Sequence, residues 1–294
     1  MCQMEDMLKN EFSNDLSQGF THGGVFHADD VFSTALLKIL NPDIEISRGY
    51  SVPQDFKGIV YDIGGGQYDH HQKDRRVRAN GIPYAAFGLL WEQFGRRLLC
   101  EEDAEKFDEN FIQQIDLADN TGVYNALSQI ISDKLPTWQE EPGRMEEAFG
   151  EAVGFAGEIL ERRICQVRAE WEAYEIVCQK ADQCGDGILY LEHVVPWKDA
   201  LQKHSKDIFY VIYPSIRGGY NIQAVPDRED PNALRCPFPQ KWRGADLKTL
   251  QDMTGIRDLT FCHMSGFLGA AETLEGAYRT ARLAMQEASR QAVP

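Results

Sequence analysis

Residues 21–30 read THGGVFHADD, and VFSTALLKIL follows over 31–40. Two histidines and two adjacent aspartates precede a run whose apolar residues at 31, 32, 35, 36, 39 and 40 mark one face of a helix. Asp29 or Asp30 suits the cap of that helix, and Asn41-Pro42 its stop. A strand around Phe20 precedes it. IEIS (44–47) and KGIVYDI (57–63) read as further strands, and PYAAFGLLWEQFG (83–95) and EDAEKFDENFIQQIDLADN (102–120) as helices. Strands interleaved with helices predict an α/β fold with a mostly parallel sheet and functional loops at the carboxyl ends of its strands.

A second polar stretch, DIGGGQYDHHQ, occupies 62–72. Asp62 closes an apolar strand, the glycines at 64–66 allow a tight turn, and Asp69, His70 and His71 follow. Four of the seven histidines fall between 22 and 71, each beside carboxylates in predicted loops. Imidazole with carboxylate is ligand chemistry for zinc, manganese or iron rather than calcium. The donors outnumber the three or four that one zinc uses, which points to two metals, with Asp62 the natural bridge. In IDLADN (115–120), Asp116 and Asp119 share a helix face and can add a carboxylate. Asp30 reads as a helix cap rather than a ligand. The GGG run does not read as a dinucleotide loop, because the GxGxxG spacing is absent and DHH follows.

Beyond LPTWQEEPGR (135–144) a charged amphipathic helix runs over about 144–182, and CGDG closes it. GILYLEHV, IFYVIYPS and GGYNIQAVP then read as strands, with a hairpin at Arg217-Gly218-Gly219, and ADLKTLQDM and ETLEGAYRTARLAMQEASRQ as helices. The expected domains are 1–140 for metal binding, 141–185 for the connecting helix and 186–294 for a smaller C-terminal α/β domain that binds substrate.

The chain has 294 residues and a net charge of −16, with a pI near 4.9, which argues against a broad basic surface for long duplex nucleic acid. Seven scattered cysteines, no CxxC pair, no signal-peptide pattern in MCQMEDMLKNEF and no apolar run near the roughly 20 residues of a membrane span set the expectation of a reduced, soluble, cytoplasmic protein with no membrane partner. KDRRVR (73–78) offers cations for a phosphate-bearing substrate. His263 lies in FCHMSGFLGAAE beside a small-residue turn expected to lead into a helix, whose N–H groups would receive an anion. Arg235 and Arg243 are weaker candidates. Tyr220, Trp242 and Phe267 are candidates to stack bases, or core residues.

In these residues the chain resembles the DHH phosphoesterase superfamily, named for a triplet like Asp69-His70-His71. THGGVFHADD, VYDIGGGQYDHHQ, IDLADN and FCHMSGFLGAAETLEGA together are similar to its melanocyte proliferating gene (Myg-type) exonuclease family of metal-dependent hydrolases. The resemblance implies two divalent ions, Mn2+ first, in a cleft between the domains. It implies His22 and His27 with Asp62 on one ion, Asp29 on the other with Asp62 shared, and His70 ligating. Asp116 is the last carboxylate, with Asp119 its rival. His71 and Asp69 would assist the chemistry, and His263, Gly266, Arg235 and Arg76 would contact substrate. Many superfamily members carry Asp where this chain has His27, which bears on metal preference. The implied reaction is attack of metal-activated water on phosphorus, as a 3′ to 5′ exonuclease on single-stranded RNA or short oligonucleotides. The alternatives are a small-molecule phosphatase or pyrophosphatase using the same metals, and a metal-stabilised binding protein without turnover. The long helix offers a surface for a homodimer.

Overall fold

The computed structural model describes residues 16–141, 143–230 and 232–291, so the MCQMEDMLKNEF stretch lies outside the described residues. The chain forms two compact units that divide between Arg168 and Ala169. Both are mixtures of helix and strand.

The first unit is built on a three-stranded parallel sheet of order β2-β1-β3, from β1 (Gln18–His22), β2 (Glu45–Gly49) and β3 (Ile59–Val60). Helix α1 (Ala28–Leu40) connects β1 to β2 and buries its first ten residues. The sequence reading puts the cap at Asp29 or Asp30, but both lie inside the first turn of the helix. His27 occupies the N-cap, and Asp30, three residues on, accepts its backbone N–H at 2.7 Å. Phe32 of α1 packs edge-on to Phe111, and Phe26, Tyr61 and Phe87 are fully buried in the same core. Burial of each such ring is worth roughly 1.5–3 kcal/mol. Helix α2 (Ala86–Phe94) follows. Next come α3 (Glu101–Phe107), a single π turn (Asp108–Ile112) and α4 (Gln113–Thr121), which run together as one bulged helix. Gly122, at φ +69°, closes α4, and α5 (Ala126–Ser132) begins on the cap of Asn125. Helix α6 (Arg144–Gln183) spans the division between the units.

The second unit holds a five-stranded mixed sheet of order β4-β5-β6-β8-β7. Its strands are β4 (Ile188–Tyr190), β5 (Tyr210–Pro214), β6 (Tyr220–Ala224), β7 (Leu259–Cys262) and β8 (Leu268–Ala271). Helix α7 (Lys198–Lys203) precedes β5, α8 (Leu247–Thr254) precedes β7 and α9 (Leu274–Gln291) follows β8. Ala277, Ala281 and Ala284 of α9 are fully buried, the i, i+4, i+7 stripe of a helix lying on a sheet. The β5–β6 hairpin turns at Gly218 and Gly219, both at positive φ, as the sequence suggests. One expectation is corrected here. The His263–Phe267 turn opens strand β8 rather than a helix, because alternating LGAA continues antiparallel to β7. His263 N–H donates to the Leu268 carbonyl at 2.8 Å, a hairpin bond, and no helix-start amides lie at this turn.

Candidate metal centre

Parallel pairing fixes the centre of the site. Phe20 stands opposite Val60 in the β1–β3 ladder, so His22 and Asp62, each two residues further on, leave the sheet side by side at its carboxyl edge. Asp62 holds φ +55°, the one non-glycine positive φ among the described residues. This strained conformation turns its carboxylate away from the strand line, and the Asp62 N–H bond to the Tyr68 carbonyl at 2.9 Å holds it. Gly64, at φ +89°, completes the turn.

The Asp62 oxygens face opposite ways. Oδ2 lies 3.2 Å from His22 Nε2, and Oδ1 lies 3.1 Å from His70 Nε2 and 3.6 Å from His71 Nδ1. Around this axis the described residues form three groups with ligand atoms close enough to share an ion: His22, His27 and Asp30; Asp62, His70 and His71; and Asp29, His70 and Asp119. His70 Nε2 is 3.3 Å from Asp119 Oδ2 and 3.7 Å from Asp29 Oδ2.

The electrostatics describe a set of buried acids that His22, His70 and Arg48 compensate only in part. Burial pushes the Asp30 carboxyl up to about 7, and burial likewise raises Asp29 and Asp119, with repulsion from Asp62 adding to each. Burial also acts against Asp62, but hydrogen bonds from His22 and His70 outweigh it and hold its carboxyl at about 2. The same bond to Asp62 lifts the His22 imidazole to about 9. Asp30 Oδ2 is buried with no hydrogen-bond partner, His22 Nε2 standing 3.4 Å and Arg48 Nη2 3.7 Å away. A buried orphan oxygen among carboxylates and imidazoles is the environment a divalent cation relieves, so the residues present fit a metal.

Neighbouring groups fix the orientation of these donors. Asp29 accepts from the Ala86 and Phe87 amides at 2.9 and 2.7 Å, so it caps α2 as well as facing His70. Asn120 donates from Nδ2 to the Tyr84 and Asp116 carbonyls, which leaves its Oδ1 to accept from His70 Nδ1 at 3.4 Å. With an ion seated between Nε2 and the carboxylates, that contact would hold the proton on Nδ1 and leave the Nε2 lone pair to the ion. Asp69 accepts from the Gly65 amide, the His71 amide and His71 Nδ1, the last at 2.9 Å.

The structure brings His22, His27, Asp29, Asp62, His70, His71 and Asp69 together and adds Asp30 and Asp119. Asp116 stands apart from the three groups. It is fully buried, with one oxygen 2.8 Å from Arg78 Nη1 and the other accepting from the Gly88 amide. Gly88 has no room for a side chain there, since a Cβ would overlap the Asp116 carboxylate. Among the cations of KDRRVR, Arg76 grips Glu92 through both terminal nitrogens and Arg78 grips Asp108, while Arg75 donates to Asn120 Oδ1 at 3.2 Å. In the second unit, Arg235 spends its donors on the carbonyls of Pro226, Ile208 and Leu201. Arg243 bonds the Phe238 carbonyl, and Gly266, at φ +70°, sits against its guanidinium. Trp242 is fully buried, so it is core and not a stacking platform.

An α/β chain with a histidine–carboxylate cluster at the edge of a parallel sheet belongs to the class of candidate metal-centre proteins. More particularly, residues 19–285 match the MYG1 exonuclease model, described as Uncharacterised protein family (UPF0160), and the chain belongs to that family. It is 29% identical to the human MYG1 exonuclease, over 92% of this chain and 86% of that protein. It is 28% identical to the MYG1 protein of Schizosaccharomyces pombe, over 92% and 98%, and 29% identical to that of Caenorhabditis elegans, over 90% and 94%. No solved structure matches the chain. Among the described residues no helix is long and apolar enough to cross a membrane.

Proposed function

We propose that this chain is a two-metal phosphodiesterase of the DHH type, a manganese-dependent 3′ to 5′ exonuclease on RNA or short oligonucleotides. The observation that carries the reading is the Asp62 carboxylate, which offers one oxygen to the His22 side and the other to the His70 side. The relatives named exonucleases support the reaction class. Asp62 would be shared, with His22, His27 and Asp30 on one ion and Asp29, His70 and Asp119 on the other. Bound divalent ions supply water of lowered pKa and an electrophilic clamp on the phosphoryl oxygens. Asp69 holds His71 through Nδ1 and would stabilise its imidazolium form, whose Nε2–H would pass the proton to the leaving oxygen. His71 lines a cavity of about 680 Å³ over the cluster, together with His22, His27, Asp62 and Asp119.

The test is a manganese-dependent cleavage screen over RNA oligomers, dinucleotides, pyrophosphate and nucleoside monophosphates. The reading expects cleavage of the oligomers from one end. Turnover of pyrophosphate or monophosphates alone would replace it with a small-molecule phosphatase, and metal binding without turnover would leave a binding protein.

A further inference from the structure

We infer that the recess between the carboxyl end of α4 and helix α5 seats a nucleobase. The inference rests on the phosphodiesterase reading and specifies where the substrate's nucleotide lies. The recess has a volume of about 320 Å³ and shares His27 and Asp119 as walls with the larger cavity over the metal centre. A phosphate held among the clustered donors therefore has its next chemical group at this shared wall.

The lining selects what that group is. No lysine or arginine lines the recess among the described residues, and Asp119 gives it negative charge. A second phosphate is disfavoured there, while a flat, neutral, partly apolar group is not. Tyr124 stands 77% exposed and Val123 50% exposed at the mouth. The two place an aromatic ring and an apolar side chain, both open to solvent, next to the recess. The backbone on either side of Tyr124 is fixed. Gly122 terminates α4 on one side of it. On the other side Asn125 Oδ1 accepts the Leu127 and Ser128 amides, so the ring rides on a locked turn. Ser128 and Gln129 of α5 form part of the recess wall. The volume lies at the small end of ligand pockets, suited to one base.

The experiment measures binding of adenosine 5′-monophosphate and of ribose 5-phosphate to the manganese-loaded full chain by calorimetry. Both carry the phosphate and sugar, and only the first carries a base. The wild type should bind the nucleotide about tenfold tighter, the size expected of one base stacked on an aromatic ring. Tyr124→Ala should erase that difference with manganese affinity unchanged, and Tyr124→Phe should keep it. Equal affinities in the wild type, no measurable nucleotide binding, or a difference that survives Tyr124→Ala would each overturn the recess assignment and leave the exonuclease reading standing on its cleavage screen. A Tyr124-dependent preference in a chain that cleaves no RNA would uphold the recess and reject the exonuclease.

Discussion

The two oxygens of Asp62 lie 3.2 Å from His22 Nε2 and 3.1 Å from His70 Nε2, so one carboxylate ties together two loops that the sequence separates widely. The positive φ of Asp62 aims it, at a backbone cost of about 1–3 kcal/mol that the surrounding ladder and turn support. Such strain at the meeting point of nine titratable side chains is the mark of a site selected for something other than stability.

Asp116 and Asp119 should separate cleanly by mutation. Asp119→Asn should lower divalent-ion affinity at least tenfold with little change in melting temperature, since Asp119 is partly open and faces His70. Asp116→Asn should leave ion binding intact. Arg78→Ala should cost about 3–5 kcal/mol in denaturant unfolding, because it strands the buried Asp116 charge. Ion loss in Asp116→Asn with retention in Asp119→Asn would reverse the assignment.

Asn120→Ala should weaken manganese binding by about 10- to 100-fold, the usual effect of losing a group that orients a ligating imidazole. Calorimetry checks the affinity, and the ring NMR signals of His70 should report mixed tautomers in the variant. An unchanged affinity would show that the Asn120 contact does not govern His70.

The ion-free protein should lose stability as pH rises. Asp30, lifted from its usual range to about 7, increasingly opposes folding between pH 4 and 7, because the unfolded chain ionises it first. His22, lifted to about 9, contributes stability below pH 6.5 that is lost as pH climbs through 9. Asp62, held at about 2, contributes throughout this window and fails only in strong acid. Melting temperature in chelator should therefore fall from pH 5 to pH 9, and the increment on adding manganese should grow over the same range. A flat profile, or a manganese increment that shrinks with pH, would contradict these electrostatics.

Much of this arrangement was legible in the sequence. Alternation of strand and helix placed β1, α1, β2 and β3 within about three residues of their bounds, and the histidine–aspartate spacing drew attention to the residues that converge. The failures have physical causes. Adjacent residues Asp29 and Asp30 both face the cluster, yet one caps α2 and the other caps its own helix. That division depends on α2, whose start lies far along the chain. Asp116 and Asp119 share a helix face, but the π turn before α4 and the buried Arg78 decide which one reaches His70, and neither carries a periodic signal. The small-residue turn at His263 resembles a helix start locally, and only pairing with β7 makes it a hairpin. Tyr124 gave no signal, because exposure of a lone aromatic is a property of the folded surface.

The most direct test of the central claim is a crystal structure of the full chain grown with manganese, read by anomalous scattering. The account predicts two peaks about 3.5–4 Å apart. One Asp62 oxygen should reach each peak, with His22 and Asp30 beside one and His70 and Asp119 beside the other. A single peak, or none within reach of Asp62 while manganese occupies other sites, would contradict it.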